Sequence, residues 1–129
     1  MKPIITALVL LSFGLSNVLS QQKEIFIKQL EFKLDRLSDQ DYENEYFMTL
    51  KLNKGTTYKF RITNHRDNLP GLAVFELLDA DNLILTNSIN DKYFETFNFV
   101  CNKTAFYDIL IKFKDKKTGY SVVDIMMLQ

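Results

Sequence analysis

The stretch Tyr46–Asn64, YFMTLKLNKGTTYKFRITN, decides the fold. In its first half Tyr46, Met48, Leu50 and Leu52 alternate with Phe47, Thr49 and Lys51. After Asn53-Lys54-Gly55 the alternation resumes, with Tyr58, Phe60 and Ile62 set against Lys59, Arg61 and Thr63. Successive side chains of a strand point to opposite faces, so each half presents one apolar and one mostly polar face. Gly55 suits the left-handed position that closes a short hairpin with a bulge. The stretch predicts two strands joined as a hairpin, with one face against a core.

Downstream the pattern repeats. Ala73, Phe75 and Leu77 alternate within Leu72–Leu78, and Asp79-Ala80-Asp81-Asn82 reads as a turn into Leu83–Thr86. Asn87–Lys92 reads as a polar loop, and Tyr93–Cys101 as a strand with Phe97, Phe99 and Cys101 on one face. Asn102-Lys103-Thr104 is a turn and also an Asn-x-Thr sequon, which matters only in a host with glycosylation machinery. Tyr107, Ile109, Ile111 and Phe113 alternate in the strongest strand, Phe106–Lys114, and Asp115–Gly119 reads as a solvated turn. Tyr120–Leu128 is apolar on both sides, as suits a strand covered on both faces or one meeting a partner chain. Upstream, Gln21–Ser38 fits two periods. Ile27, Leu30, Leu34 and Leu37 fall at helical spacing, whereas Phe26, Leu30, Phe32 and Leu34 partly alternate. Seven to eight strands at this spacing predict an all-β antiparallel sandwich or barrel.

Residues 1–20 have the form of a secretory signal peptide, with Lys2, the apolar run Ile4–Leu11 broken only by Thr6, and small residues Val18 and Ser20 before a cut after Ser20. The run is short for a membrane span. Residues 21–129 then form a single domain with a core over 39–128, expected to be exported to the periplasm, the medium or the cell surface. Losing Lys2 from 16 bases against 16 acids leaves a net charge of −1. That balance gives no bulk attraction to nucleic acid or an anionic membrane. The one cysteine, Cys101, cannot form an internal bridge and is expected as a small buried apolar residue.

Candidate site residues are few. Asp39, Asp41 and Glu43, in the run DQDYENE over 39–45, supply oxygens suited to Ca²⁺ but lack the glycine of a known Ca²⁺ loop. A solvated acidic loop is the plainer reading of them. His65 and Arg66 lie in the loop HRDNLPG, which holds the only histidine and has no base partner in sequence. Tyr42, Tyr46, Phe47, Tyr93, Phe94 and Phe106 are the aromatics expected to point outward, and Tyr93 and Phe94 are the candidates to contact a ligand. Asp79 and Asp81 share one tight turn, a poor geometry for an acid–base pair. No nucleophile, base and orienting group can be assembled by spacing.

The order of elements resembles the bacterial pre-peptidase C-terminal domain. The matching stretches are Asp39–Glu45, Leu50–Gly55, Tyr58-Lys59-Phe60, Phe75–Leu85, Phe97–Phe99, Tyr107–Ile111 and Gly119-Tyr120-Ser121-Val122. The resemblance covers about residues 39–128 and implies a jelly-roll-like sandwich that binds, targets or assists, in some members with Ca²⁺ at the acidic lead-in. Two features depart from the family: Gly71-Leu72-Ala73 replaces its usual acidic pair, and the single-domain reading leaves no attached enzyme to be expected. The sequence therefore points to an exported, non-enzymatic binding module for a glycan, a peptide or another exported protein. The alternative is a structural subunit of a surface or secretion-linked assembly.

Overall fold

The computed structural model of the chain describes residues 22–65 and 68–129. The signal-peptide reading of residues 1–20 and the candidate Arg66 fall outside them. The described chain is an antiparallel β-sandwich. Its strands are β1 (Glu24–Leu34), β2 (Tyr46–Leu52), β3 (Thr57–Asn64), β4 (Ala73–Asp79), β5 (Asn82–Thr86), β6 (Ser88–Ile89), β7 (Lys92–Tyr93), β8 (Thr96–Val100), β9 (Ala105–Phe113) and β10 (Gly119–Leu128). One sheet has the order β1-β10-β3-β8 and the other β2-β9-β4-β5, with β6 and β7 forming a small separate ribbon.

The inward faces follow the alternation. Tyr58, Phe60 and Ile62 of β3 and Val123 and Ile125 of β10 meet Phe75 and Leu77 of β4 and Ile109 and Ile111 of β9, all buried. Rings tie the layers together, with Phe60 5.0 Å from Phe75 and both 5.3 Å from Phe97. Cys101 is free and buried.

Four sequence expectations change. The turn at Gly55 does not close a hairpin: β2 pairs with β9 and β3 with β10 and β8, so the chain arches from one sheet to the other. Gly55 has a φ of +88°, and its N–H donates to the Cys101 carbonyl at 2.9 Å. A reversal with both flanking strands facing one core serves an arch as well as a hairpin. Second, residues 24–34 are a strand. Leu30, Phe32 and Leu34 face the core, and a bulge between Phe26 and Lys28 shifts the phase, which left Ile27 at false helical spacing. Third, β10 is not an edge. It lies between β1 and β3, so both its edges are paired and none is left to meet a partner chain. Fourth, residues 87–92 are not a plain loop: β6 and β7 form a hairpin whose Asn90 and Asp91 both take positive φ, as a type I′ turn requires. Ala80 and Asp81 turn β4 into β5 in the same way.

The register gathers the connections at two ends. Residues 35–45, 65–72, 87–95 and 114–118 lie at one end, here the loop end. The Gly55 arch, the β4–β5 turn and residues 101–104 lie at the other. No helix among the described residues is long and apolar enough to cross a membrane.

Candidate functional site: the loop end of the sandwich

The loop end is built around a strand that stops early. The pairing of β2 begins with Tyr46 opposite Ile111, so no residue of β2 covers Lys112 or Phe113 of β9. The chain instead approaches β2 through a short 3₁₀ turn, Asp41–Asn44. Ser38 and Asn44 pin this approach: the Ser38 N–H donates to Asn44 Oδ1 at 2.7 Å, and Asn44 Nδ2 donates to the Ser38 carbonyl at 2.9 Å. The space left over β9 is a cleft of about 420 Å³. Leu34, Leu37, Val74 and Phe113 give it an apolar lining, and Lys112, Lys114, Lys116 and Lys117 bring cations to it against the carboxylates of Asp41, Glu45 and Asp115.

Three of those lysines sit on the β9–β10 tip. Asp115 and Lys116 both hold left-handed backbone, with φ of 60° and 52°. Non-glycine residues pay for that conformation in steric strain, so two in succession imply a tip fixed by its surroundings. The Lys114 N–H donates to the Leu72 carbonyl at 2.9 Å, and Lys116 Nζ lies 3.6 Å from Asp41. Lys114 Nζ stands 5.2 Å from the Tyr93 ring centroid. The Tyr93 phenol, and after it Asp115 and Asp91, hold the Lys114 ammonium above its usual range.

A second cleft at the same end, of about 330 Å³, is lined by Lys33, Asp35, His65, Asn68, Leu69 and Tyr120. The His65 ring lies 4.7 Å from that of Tyr120, whose face also carries Lys33 Nζ at 5.6 Å. Desolvation, and then Glu31, push the Tyr120 hydroxyl up.

The residues singled out from sequence thus come from separate loops but share one end. His65 lines the second cleft, Tyr93 supports the lysine tip, Phe94 is exposed, and Asp41 faces Lys116. Asp39, Asp41 and Glu43 are not gathered around one point: no group of three His, Cys, Asp or Glu among the described residues is placed to hold a metal ion. Glu43 instead accepts the Ser38 hydroxyl at 2.8 Å. Tyr46 turns inward, 5.8 Å from the Phe32 ring, while Tyr42, Phe47 and Phe106 are exposed. Asp79 pairs with Lys103 at 2.7 Å, and Cys101 contacts Tyr107, both at the opposite end from His65. Sequence reasoning passed over Lys112, Lys114, Lys116, Lys117 and Tyr120. Their signal was a lysine-rich run, KFKDKK, with no glycine at its bend.

No protein-family model matches this chain, and no curated protein sequence matches it. Among solved structures it is similar to the crystal structure of Aeromonas hydrophila PliG, a periplasmic lysozyme inhibitor of g-type lysozyme. The TM-score is 0.54 at 13% identity, over 81% of this chain and 88% of that one. At this identity the likeness speaks to the fold, a two-sheet sandwich.

Proposed function

We propose that this chain is an exported, non-enzymatic binding protein that presents its loop end to another protein, and that the partner is a glycan hydrolase of the lysozyme class. The fold it shares with PliG supports the partner class, and the leader-like pattern of residues 1–20 supports export. The observation that carries the reading is the Lys114–Lys117 tip: a strained bend that sets cations beside an apolar-lined cleft. Glycan hydrolases of this class work with two carboxylates flanking the bond they cut. Cations on a pre-set loop suit such a cleft, because charge complementarity steers docking and a rigid loop loses little entropy on binding. Against turnover by the chain itself stands the separation of its reactive groups, with His65 at one end, Cys101 at the other, and Asp79 held by Lys103.

The test is a cell-wall lysis assay with a g-type lysozyme and residues 21–129. The expected result is loss of lysis as the two proteins approach equal concentration. Lys116→Glu combined with Lys117→Glu is expected to weaken inhibition by about tenfold or more without lowering the unfolding temperature. Full lysis in excess of the chain, with no complex seen by calorimetry for g-type or c-type lysozyme, would sink the proposed partner class.

A further inference from the structure

Both sheets expose large apolar side chains on their outer faces, among them Phe26 and Val100 on the β1-β10-β3-β8 sheet. On the β1-β10-β3-β8 sheet the charges are paired: Glu24 accepts from Lys59 and from Arg61, and Gln29 donates to Asp124 at 2.8 Å. The outer face of the β2-β9-β4-β5 sheet sets apolar side chains among Lys51, Asp108, Lys112 and Glu76. Phe47, Phe106 and Leu83 are 62%, 68% and 53% exposed. The register sets them in adjoining rows. Leu110 lies between Phe47 and Glu76, Asp108 lies between Thr49 and Leu78, and Leu78 lies beside Leu83. Phe106 stands opposite Lys51. Large apolar side chains exposed on one sheet face, set among charges, mark a candidate interaction surface.

The charges select the occupant. Asp108, Leu110 and Lys112 share the outer face of β9, with Asp108 and Lys112 two residues to either side of Leu110. We infer that this face packs against a second copy of the chain, about a two-fold axis crossing the strands at Leu110. That axis lays β9 antiparallel over its copy. Each Lys112 then meets the other copy's Asp108, Leu110 meets Leu110, and Phe47 meets Phe47. A self-complementary patch is what a two-fold interface requires. Asp108 is already oriented, accepting the Thr49 hydroxyl at 2.8 Å. Lys51 and Lys112 balance Asp108 and Glu76, so the face carries no net charge to repel its copy. The same axis brings the two Glu76 side chains together, a like-charge contact that weakens the pair. Lys112 also lines the loop-end cleft, so Asp108→Lys and Phe47→Ser, which lie outside that lining, are the variants that separate the dimer from binding there.

Sedimentation equilibrium of residues 21–129 over a wide concentration range tests it. The expected result is a reversible monomer–dimer equilibrium. Asp108→Lys and Lys112→Asp are each expected to weaken the dimer by about tenfold, and the two together to restore most of the loss. Phe47→Ser is expected to weaken it, whereas Glu76→Gln tightens it, a direction that general damage to the fold does not produce. Unchanged unfolding temperatures show that each variant is folded. A monomer up to the solubility limit overturns the inference. So does a dimer indifferent to Phe47→Ser and both charge reversals, or a face that binds lipid vesicles or a different protein in place of its copy.

Discussion

The side-chain amide of Asn87 takes the place of a strand beside Phe75. Its Oδ1 accepts the Phe75 N–H at 2.7 Å, and its Nδ2 donates to the Ala73 carbonyl at 3.0 Å. The β4–β5 ladder ends at Thr86; the Asn87 N–H still donates to the Phe75 carbonyl at 3.3 Å, and its side chain continues the pairing as the backbone turns away to β6. Asn87 is only 2% exposed, so water cannot replace these bonds. Asn87→Leu is expected to cost about 2–4 kcal/mol, because two buried backbone groups lose their partners. Asn87→Asp is expected to cost at least as much at neutral pH, since it loses the donor and buries a charge, and to recover partly in acid. Urea unfolding measures both. A cost under about 0.5 kcal/mol for Asn87→Leu would show that the amide is not holding β4.

Phe113 is packed against two glycines that meet at the base of the lysine tip. A Cβ on Gly119 would fall well inside contact distance of the Phe113 ring, and one on Gly71 would lie 2.6 Å from the Thr118 carbonyl and 2.8 Å from the same ring. Phe113 cannot easily retreat, because its other neighbour is Phe32, stacked at 5.1 Å. Gly119→Ala is therefore expected to cost about 1–3 kcal/mol by overpacking. Phe113→Leu in the same chain is expected to return part of that cost. Gly55→Ala is the contrast: nothing lies within 4 Å of its added methyl, and its cost comes from the φ of +88° alone. Thermal unfolding of the three variants separates crowding from backbone strain, and additive losses for Gly119→Ala and Phe113→Leu would contradict the packing argument.

These two sites also show what a sequence can and cannot reveal here. Alternation in β3, β4 and β9 reports directly which side chains are buried, because a strand with one face on a core must repeat every two residues. Pairing is another matter. Asn53-Lys54-Gly55 reverses the chain whether the next strand joins the same sheet or the opposite one, and only the partners of β2 and β3 decide. The bulge in β1 hid a strand behind helical spacing. The loop end was legible only in pieces, since Asp41, His65 and Tyr93 are far apart in sequence and share one end because strand ends do. The lysine tip was passed over because its distinguishing feature is the positive φ of Asp115 and Lys116, which no residue type in KFKDKK announces. The motifs that resembled a pre-peptidase C-terminal domain are turn and core residues, so they report the sandwich and leave its family open.

Tyr107 gives the far end an alkaline sensitivity. Its hydroxyl donates to the Lys103 carbonyl at 2.6 Å, and Cys101 Sγ lies 3.7 Å away. Desolvation, then the hydrogen bond to Cys101, push the phenol from 10.0 up to about 12. Folding thus favours the protonated phenol. Its contribution to stability is fully present below the unfolded value of 10.0 and is lost as pH rises through about 12. Stability is expected to fall across that window in the parent chain. Tyr107→Phe is expected to be less stable at neutral pH, because the Lys103 carbonyl loses its donor, yet to show a shallower alkaline fall. Unfolding midpoints in urea from pH 9 to 12 provide the comparison. Parallel pH curves for the two proteins would remove Tyr107 as the cause.

Lys116 is where stability and binding are expected to part. Its φ of 52° is strained for lysine and free for glycine, so Lys116→Gly relieves about 1 kcal/mol of steric cost. Against that stand the loss of the ion pair with Asp41, which is exposed and contributes little, and the greater entropy of an unfolded glycine. The unfolding temperature is therefore expected to hold or rise slightly. Binding at the loop end is expected to weaken by about tenfold, because a cation is removed from the tip. Lys116→Ala keeps the strain and the stiffness of the tip and removes the same charge, so it is expected to bind no worse than Lys116→Gly and to fall below it in stability. If Lys116→Gly binds a lysozyme as tightly as the parent, the cation at this position is not a contact; if it unfolds well below Lys116→Ala, the tip is not strained.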